Sequence, residues 1–162
     1  MSDGKKMAIL AGGGPAPGIN SVITAAAIRG RLEGVDVLGI RDGFQWLMQG
    51  DTDHVVPLSI AAVTGVHYRG GSFLGIARAN PTKDPQLLDK TLQSLERLGV
   101  SRLITIGGDD TAFSAMKLSQ RAEGRIRVVH VPKTIDNDLD LPAYVDTFGF
   151  QTARHIGVDI VK

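Results

Sequence analysis

Three times along this chain a short apolar, β-branched run ends abruptly in a turn. Met7-Ala8-Ile9-Leu10-Ala11 stops at Gly12-Gly13-Gly14-Pro15-Ala16-Pro17-Gly18. Leu103-Ile104-Thr105-Ile106 stops at Gly107-Gly108-Asp109-Asp110-Thr111, and Val128-Val129-His130-Val131 stops at Pro132-Lys133-Thr134-Ile135-Asp136-Asn137-Asp138. Runs this short and this apolar read as buried strands. Helical patterns alternate with them, which predicts a parallel sheet. In such a sheet every loop leaving a strand's carboxyl end lies on one edge, and ligands bind there. The expected fold is a three-layer α/β domain with a central, mainly parallel sheet of at least four strands. Its three loops should meet in one crevice.

The remaining punctuation fits that plan. Residues 19–33 read as a helix centred on Ala25, Ala26 and Ala27, with Gly34 placed to end it. Residues 35–40 form the second strand, closed by the turn signal Asp42-Gly43. Pro85 opens an amphipathic helix over 85–98, in which Leu88, Leu92 and Leu95 share a face before Gly99. A further helix runs over 112–121. Phe150, Ala153, Ile156, Gly157 and Ile160 line one face of a last helix that carries no stop signal. The chain therefore reads as one domain, 1–162, cut from a longer protein. Between 44 and 83 the pattern is weak. Residues 60–66 suggest a short helix. Arg69-Gly70-Gly71-Ser72 and Gly75-Ile76-Ala77-Arg78 mix glycine and arginine without a core period, which suits a phosphate grip or a solvated loop.

Charge excludes several classes of partner. Eighteen Lys and Arg against seventeen Asp and Glu leave a net charge of +1, so neither a nucleic-acid nor a membrane surface is indicated. The apolar runs are too short for a membrane span, and the polar start of the chain does not read as a signal peptide. There is no cysteine, hence no disulfide or thiolate metal site, in keeping with a cytoplasmic home. The four histidines, His54, His67, His130 and His155, show no metal-ligand spacing.

Taken together the three loops suit phosphoryl transfer, which needs a metal ligand, an orienting or basic carboxylate and positive charge on the transferred group. Asp109 could bind Mg²⁺ at a helix N-terminus that also favours phosphate. Asp136 could take a hydroxyl proton, and Lys133, Arg78 and glycine N–H groups could stabilise charge. Each motif also has a plainer reading. The paired Asp is a helix cap, and residues 136–138 are a turn that satisfies its own backbone. The first loop has P-loop glycine spacing without its Lys-Ser/Thr, and it begins a dinucleotide fingerprint without its third glycine. Asp42 keeps a nicotinamide-dinucleotide site as a rival.

As a set, Gly-Gly-x-x-Pro-Gly-x-Asn, Gly-Gly-Ser-Phe-Leu-Gly-x-Ala-Arg, Gly-Gly-Asp-x-Thr and Pro-x-Thr-Ile-Asp-Asn-Asp resemble the N-terminal half of a 6-phosphofructokinase over nearly all of residues 7–162. The resemblance implies a Rossmann-like, donor-binding domain whose sugar-phosphate partner domain is absent. Gly14 would contact the donor phosphate through its backbone, and Arg78 would reach the donor and the transferred group. Asp109 would bind Mg²⁺. Thr134 and Asp136 would meet fructose 6-phosphate, with Asp136 the base for its 1-hydroxyl and Asp138 an electrostatic support. Asp110 and Lys133 stand where ATP-dependent members typically have glycine. With Pro15, they resemble the pyrophosphate-dependent branch, which makes fructose 1,6-bisphosphate in glycolysis. A full-length homo-oligomer is implied, and near-inactivity of the fragment alone. Asp110 is expected to exclude ATP by repelling an α-phosphate.

Overall fold

The computed structural model describes residues 6–142 and 144–162. Strand β1 (Lys6–Ala11) leads into helix α1 (Ile19–Leu32), and strand β2 (Asp36–Ile40) follows. A short strand β3 (Val55–Pro57), a one-turn helix α2 (Ile60–Val63) and three 3₁₀ turns fill the connection to helix α3 (Pro85–Arg97). Strand β4 (Val100–Gly107), helix α4 (Asp109–Ala122), strand β5 (Arg127–Pro132) and helix α5 (Phe150–Val161) complete the chain.

The sheet runs in the order β3-β2-β1-β4-β5. β2, β1, β4 and β5 are mutually parallel, and β3 alone is antiparallel, at the edge beside β2. Alternation along β1 divides the core. Met7, Ile9 and Ala11 pack with Ile19, Ile23 and Ala27 of α1, while Ala8 and Leu10 pack with Leu92 and Leu95 of α3 and Leu118 of α4. Ile9, Leu10, Leu103 and Ile106 have no exposed surface. Burial of that kind is worth about 1.5–3 kcal/mol per side chain. The three-layer α/β architecture expected from the alternation is therefore present.

Two regions depart from the sequence reading. β3 has only three residues and ends in Pro57, too short for its alternation to register; as an edge strand it also tolerates the missing N–H. The weakly patterned stretch 44–83 is nonetheless anchored, because Phe44, Leu47, Leu58, Val63, Val66 and Leu74 are all buried. These residues are spread over short turns, so no helix or strand period emerges. α5 departs in the opposite sense. The helix forms where its period predicts, yet none of its residues is buried, and Ile156 and Ile160 are 56% and 78% exposed. Periodicity specifies the face of a helix but not what covers it. Among the described residues, no helix is long and apolar enough to cross a membrane.

Candidate functional site

The chain leaves β1 for β2 on one side and later returns to β4 on the other. The strand order thus reverses between β1 and β4, and the loops that leave these two strands diverge to open a crevice. The crevice encloses about 330 Å³. All eight residues singled out from the sequence line it. Gly14 comes from the loop after β1. Asp109 and Asp110 come from the start of α4. Lys133, Thr134, Asp136 and Asp138 come from the loop after β5. Arg78 comes from the connection before α3.

Close backbone packing shapes the β1 side. Gly12 N–H donates to the Ile106 carbonyl at 2.8 Å, and Gly13 N–H donates to the Ala77 carbonyl at 3.2 Å. The second bond draws residues 77–80 to the crevice and brings Arg78 with them. Residues 69–75 do not line it. They are held instead by the buried Asn20, whose amide donates to the Arg69 carbonyl at 2.9 Å and accepts from Phe73 N–H at 2.7 Å. A Cβ at Gly12 would come within 2.7 Å of Thr111 Oγ1, and one at Gly107 would overlap the same side chain. Glycine at both positions lets α4 start directly against the strand ends. Gly14 lines the crevice, and a Cβ there would meet nothing within 4 Å.

The start of α4 differs from a simple acidic cap. Gly108 is the N-cap, and both Asp109 and Asp110 lie in the first turn, exposed. Negative charge there is favoured by the helix dipole. Asp109 Oδ1 accepts the Asp110 N–H at 3.0 Å.

The β5 side is built from charged and hydroxyl side chains. Lys133 is only 4% exposed, and its ammonium donates to the Gly14 carbonyl, tying the first loop to the last. Burial pushes the Lys133 pKa down; Asp136 and Asp138 pull it back up, and Arg78 adds to the lowering. Thr134 Oγ1 accepts the Asp136 N–H at 3.1 Å, so the turn is satisfied by a hydroxyl and not by the Asp136 carboxylate. Asn137 is the turn residue proper. It has φ 56°, and its Oδ1 accepts the Thr147 N–H at 2.8 Å. Thr147 Oγ1 in turn donates to the Thr134 carbonyl at 2.8 Å, which folds the following segment back under the loop.

Four carboxylates and two cations therefore face one cavity. Negative charge in excess, beside a helix N-terminus and glycine N–H groups, suits an anion that arrives with a hard cation. Among the described residues, no three His, Cys, Asp or Glu converge as a ready-made metal cage. Mg²⁺ is commonly held by one or two carboxylates and the substrate's own phosphates, so the donor set fits that ion. Sequence reasoning did not single out Asn80 and Thr111 as site residues, although both line the crevice. Asn80 caps a single 3₁₀ turn, too small a signal to stand out. The dinucleotide alternative loses its anchor. Asp42 is not among the crevice residues, and its carboxylate accepts the Trp46 indole N–H at 3.0 Å within its own turn.

Comparison with known proteins places the chain in a family. The phosphofructokinase family profile matches residues 6–162. A pyrophosphate--fructose 6-phosphate 1-phosphotransferase of Thermotoga maritima is 54% identical over 157 residues, which is 97% of this chain and 38% of the relative. The enzyme of that name from Naegleria fowleri is 49% identical over 96% of this chain and 36% of the relative. ATP-dependent 6-phosphofructokinases of Actinobacillus pleuropneumoniae match at 36% identity. The phosphofructokinase structure from Saccharomyces cerevisiae superposes with a TM-score of 0.82 at 24% identity, over 97% of this chain and 23% of that one. The chain thus spans less than half the length of these curated relatives. It belongs to the phosphofructokinase family.

Proposed function

We propose that this member of the phosphofructokinase family is the donor-binding part of an enzyme that moves a phosphoryl group from pyrophosphate to the 1-hydroxyl of fructose 6-phosphate, yielding fructose 1,6-bisphosphate and phosphate. The observation that carries the reading is the presence of Asp110 and Lys133 in one crevice with Asp109 and Asp136. By resemblance, the first two positions separate pyrophosphate-dependent members from ATP-dependent ones. The names of the relatives at 54% and 49% identity support the same branch.

In this reading the Gly14 N–H and the α4 N-terminus receive the donor phosphates, assisted by Arg78. Asp109 would hold Mg²⁺, which would supply positive charge to offset that of the donor phosphates. Thr134 and Asp138 border the acceptor. The Asp136 carboxylate takes the proton of the 1-hydroxyl while that oxygen attacks phosphorus, the anhydride P–O bond breaks, and inorganic phosphate leaves. Lys133, already committed to the Gly14 carbonyl, adds positive charge beside the leaving group. The intact protein is read as a cytoplasmic, glycolytic homo-oligomer.

Asp110 is exposed, which lowers the discrimination expected from it. Two unit charges 4 Å apart repel by about 4 kcal/mol at an effective dielectric of 20 but by about 1 kcal/mol in bulk water. Exclusion of ATP by this residue alone therefore lies between about fivefold and about a thousandfold. Steady-state kinetics of the full-length protein with both donors test the proposal. A kcat/KM for ATP equal to or above that for pyrophosphate overturns it.

A further inference from the structure

His130 occupies a strand position where its neighbours Val128, Val129 and Val131 would lead one to expect another valine. A polar ring inside a sheet costs free energy unless its nitrogens are bonded. Both are. His130 pairs with Thr105 across β4 and β5, and its Nδ1 lies 2.9 Å from Thr105 Oγ1. Its Nε2 lies 3.1 Å from the Gly107 carbonyl oxygen, the last of β4. A carbonyl only accepts, so Nε2 carries the hydrogen. In the neutral ring Nδ1 is then the acceptor, and the buried Thr105 hydroxyl donates to it. The same Gly107 carbonyl accepts the Lys133 N–H at 2.9 Å. Gly107 leads straight into Gly108 and Asp109, while Lys133 reaches across to the Gly14 carbonyl. One carbonyl thus couples the turn that carries Asp109 to the loop that carries Lys133 and Asp136, and the imidazole holds that carbonyl from beneath the crevice.

We propose that His130 is a positioning residue for the phosphate-binding crevice, in that its Nε2–H fixes the Gly107 carbonyl and so sets Asp109 and Lys133 against each other at the spacing pyrophosphate needs. The inference rests on the donor reading above. His130 touches neither substrate nor the reacting atoms; it is not among the residues lining the cavity. A neutral ring with its hydrogen on Nε2 satisfies both contacts, and burial favours it by pushing the His130 pKa down against the opposing pull of the Gly107 carbonyl.

The test uses the full-length protein in three forms: wild type, His130→Val and His130→Gln. Valine keeps the strand and removes the donor, whereas the glutamine amide can replace Nε2–H. Calorimetry with Mg²⁺ and inorganic pyrophosphate should show Kd raised about tenfold in the valine variant, the worth of one net hydrogen bond, and restored in the glutamine variant. KM for pyrophosphate should rise with it while kcat moves less. Hydrogen exchange at the Lys133 amide should accelerate in the valine variant and recover in the glutamine variant. Wild-type affinity, or wild-type exchange, in the valine variant overturns the proposal. If the valine variant does not fold, a glutamine variant with weakened pyrophosphate binding overturns it equally. A wild-type protein that binds no pyrophosphate is a different failure: it removes the donor reading and the functional half of this inference, while exchange at Lys133 still reports whether the imidazole braces the turn.

Discussion

The loops that leave β1 and β5 face each other across the crevice and are built on opposite plans. Residues 12–18 carry no charged side chain, and close packing gives them their shape, with Gly12 against Thr111 and Gly13 bonded to Ala77. Residues 133–138 carry a lysine and two aspartates, with Asp136 and Asp138 exposed, and a few side-chain-to-backbone hydrogen bonds hold them in place. One loop is a mould and the other a set of charges. The β4 loop between them combines both plans, two glycines followed by two aspartates. The difference teaches where to expect the effect of a change: in the first loop on folding and shape, in the last on chemistry with the fold intact.

The largest expected effect breaks the charged side. In the full-length protein, Asp136→Ala should lower kcat by about 10² to 10⁴, the usual worth of a general base. Melting temperature and pyrophosphate affinity should stay near wild type, because the residue is exposed. Unchanged kcat would reduce Asp136 to a turn residue. Next is Asp110→Gly, which should raise kcat/KM for ATP by about fivefold to about a thousandfold, with the lower end favoured by exposure. Paired kinetics on both donors measure it, and no gain for ATP would show that the discrimination lies elsewhere.

The glycine side breaks differently. Gly12→Ala places a methyl against the buried Thr111 hydroxyl and should cost about 1–3 kcal/mol of stability by denaturant unfolding. Gly14→Ala has open space and should unfold like wild type while weakening pyrophosphate binding. If both variants lost stability equally, the contrast between mould and crevice-facing backbone would fail.

The smallest effect concerns pH. Burial lowers the folded-state pKa of His130 below the value of about 6.5 that it has in the unfolded chain. The unfolded state therefore binds more protons at and below that value, and stability rises with pH through the window. Stability contributed by the neutral ring is complete above the unfolded pKa and is lost as the pH falls towards the folded one. Unfolding curves between about pH 5 and pH 8 should show a shallower slope for His130→Gln than for wild type. Identical slopes would mean that His130 titrates normally.

Much of this was legible in the sequence because the features that carry it are local. Apolar runs, glycine turns and the leucines of α3 announce β1, β2, β4, β5 and the helices α1, α3, α4 and α5, and the parallel-sheet rule brings the loops to one edge without knowledge of any contact. What was not legible depends on partners distant in the chain. Phe44 and Leu74 are buried without a period because short turns place them, and β3 exists only because β2 offers an edge. The apolar face of α5 was correctly drawn, but nothing in its spacing could tell that these 162 residues leave it uncovered. In the sequence His130 shows only a lack of metal-ligand spacing, and its role emerges when the Thr105 register and the Gly107 carbonyl are seen together.

The central place of β1 in the sheet has a consequence for how the molecule comes into being. β1 pairs with β2 between residues about thirty apart in the chain, Lys6 with Asp36, but with β4 between residues about ninety-five apart, Met7 with Arg102. Closing the longer loop costs only about 1 kcal/mol more than the shorter. The greater obstacle is order, since contacts between distant residues form slowly and a ribosome delivers them late. Until β4 emerges, β1 has one open edge and the first glycine loop faces nothing. The phosphate site is therefore the last part of the sheet to be born, and a chain interrupted anywhere before residue 107 has made half a mould with no floor beneath it.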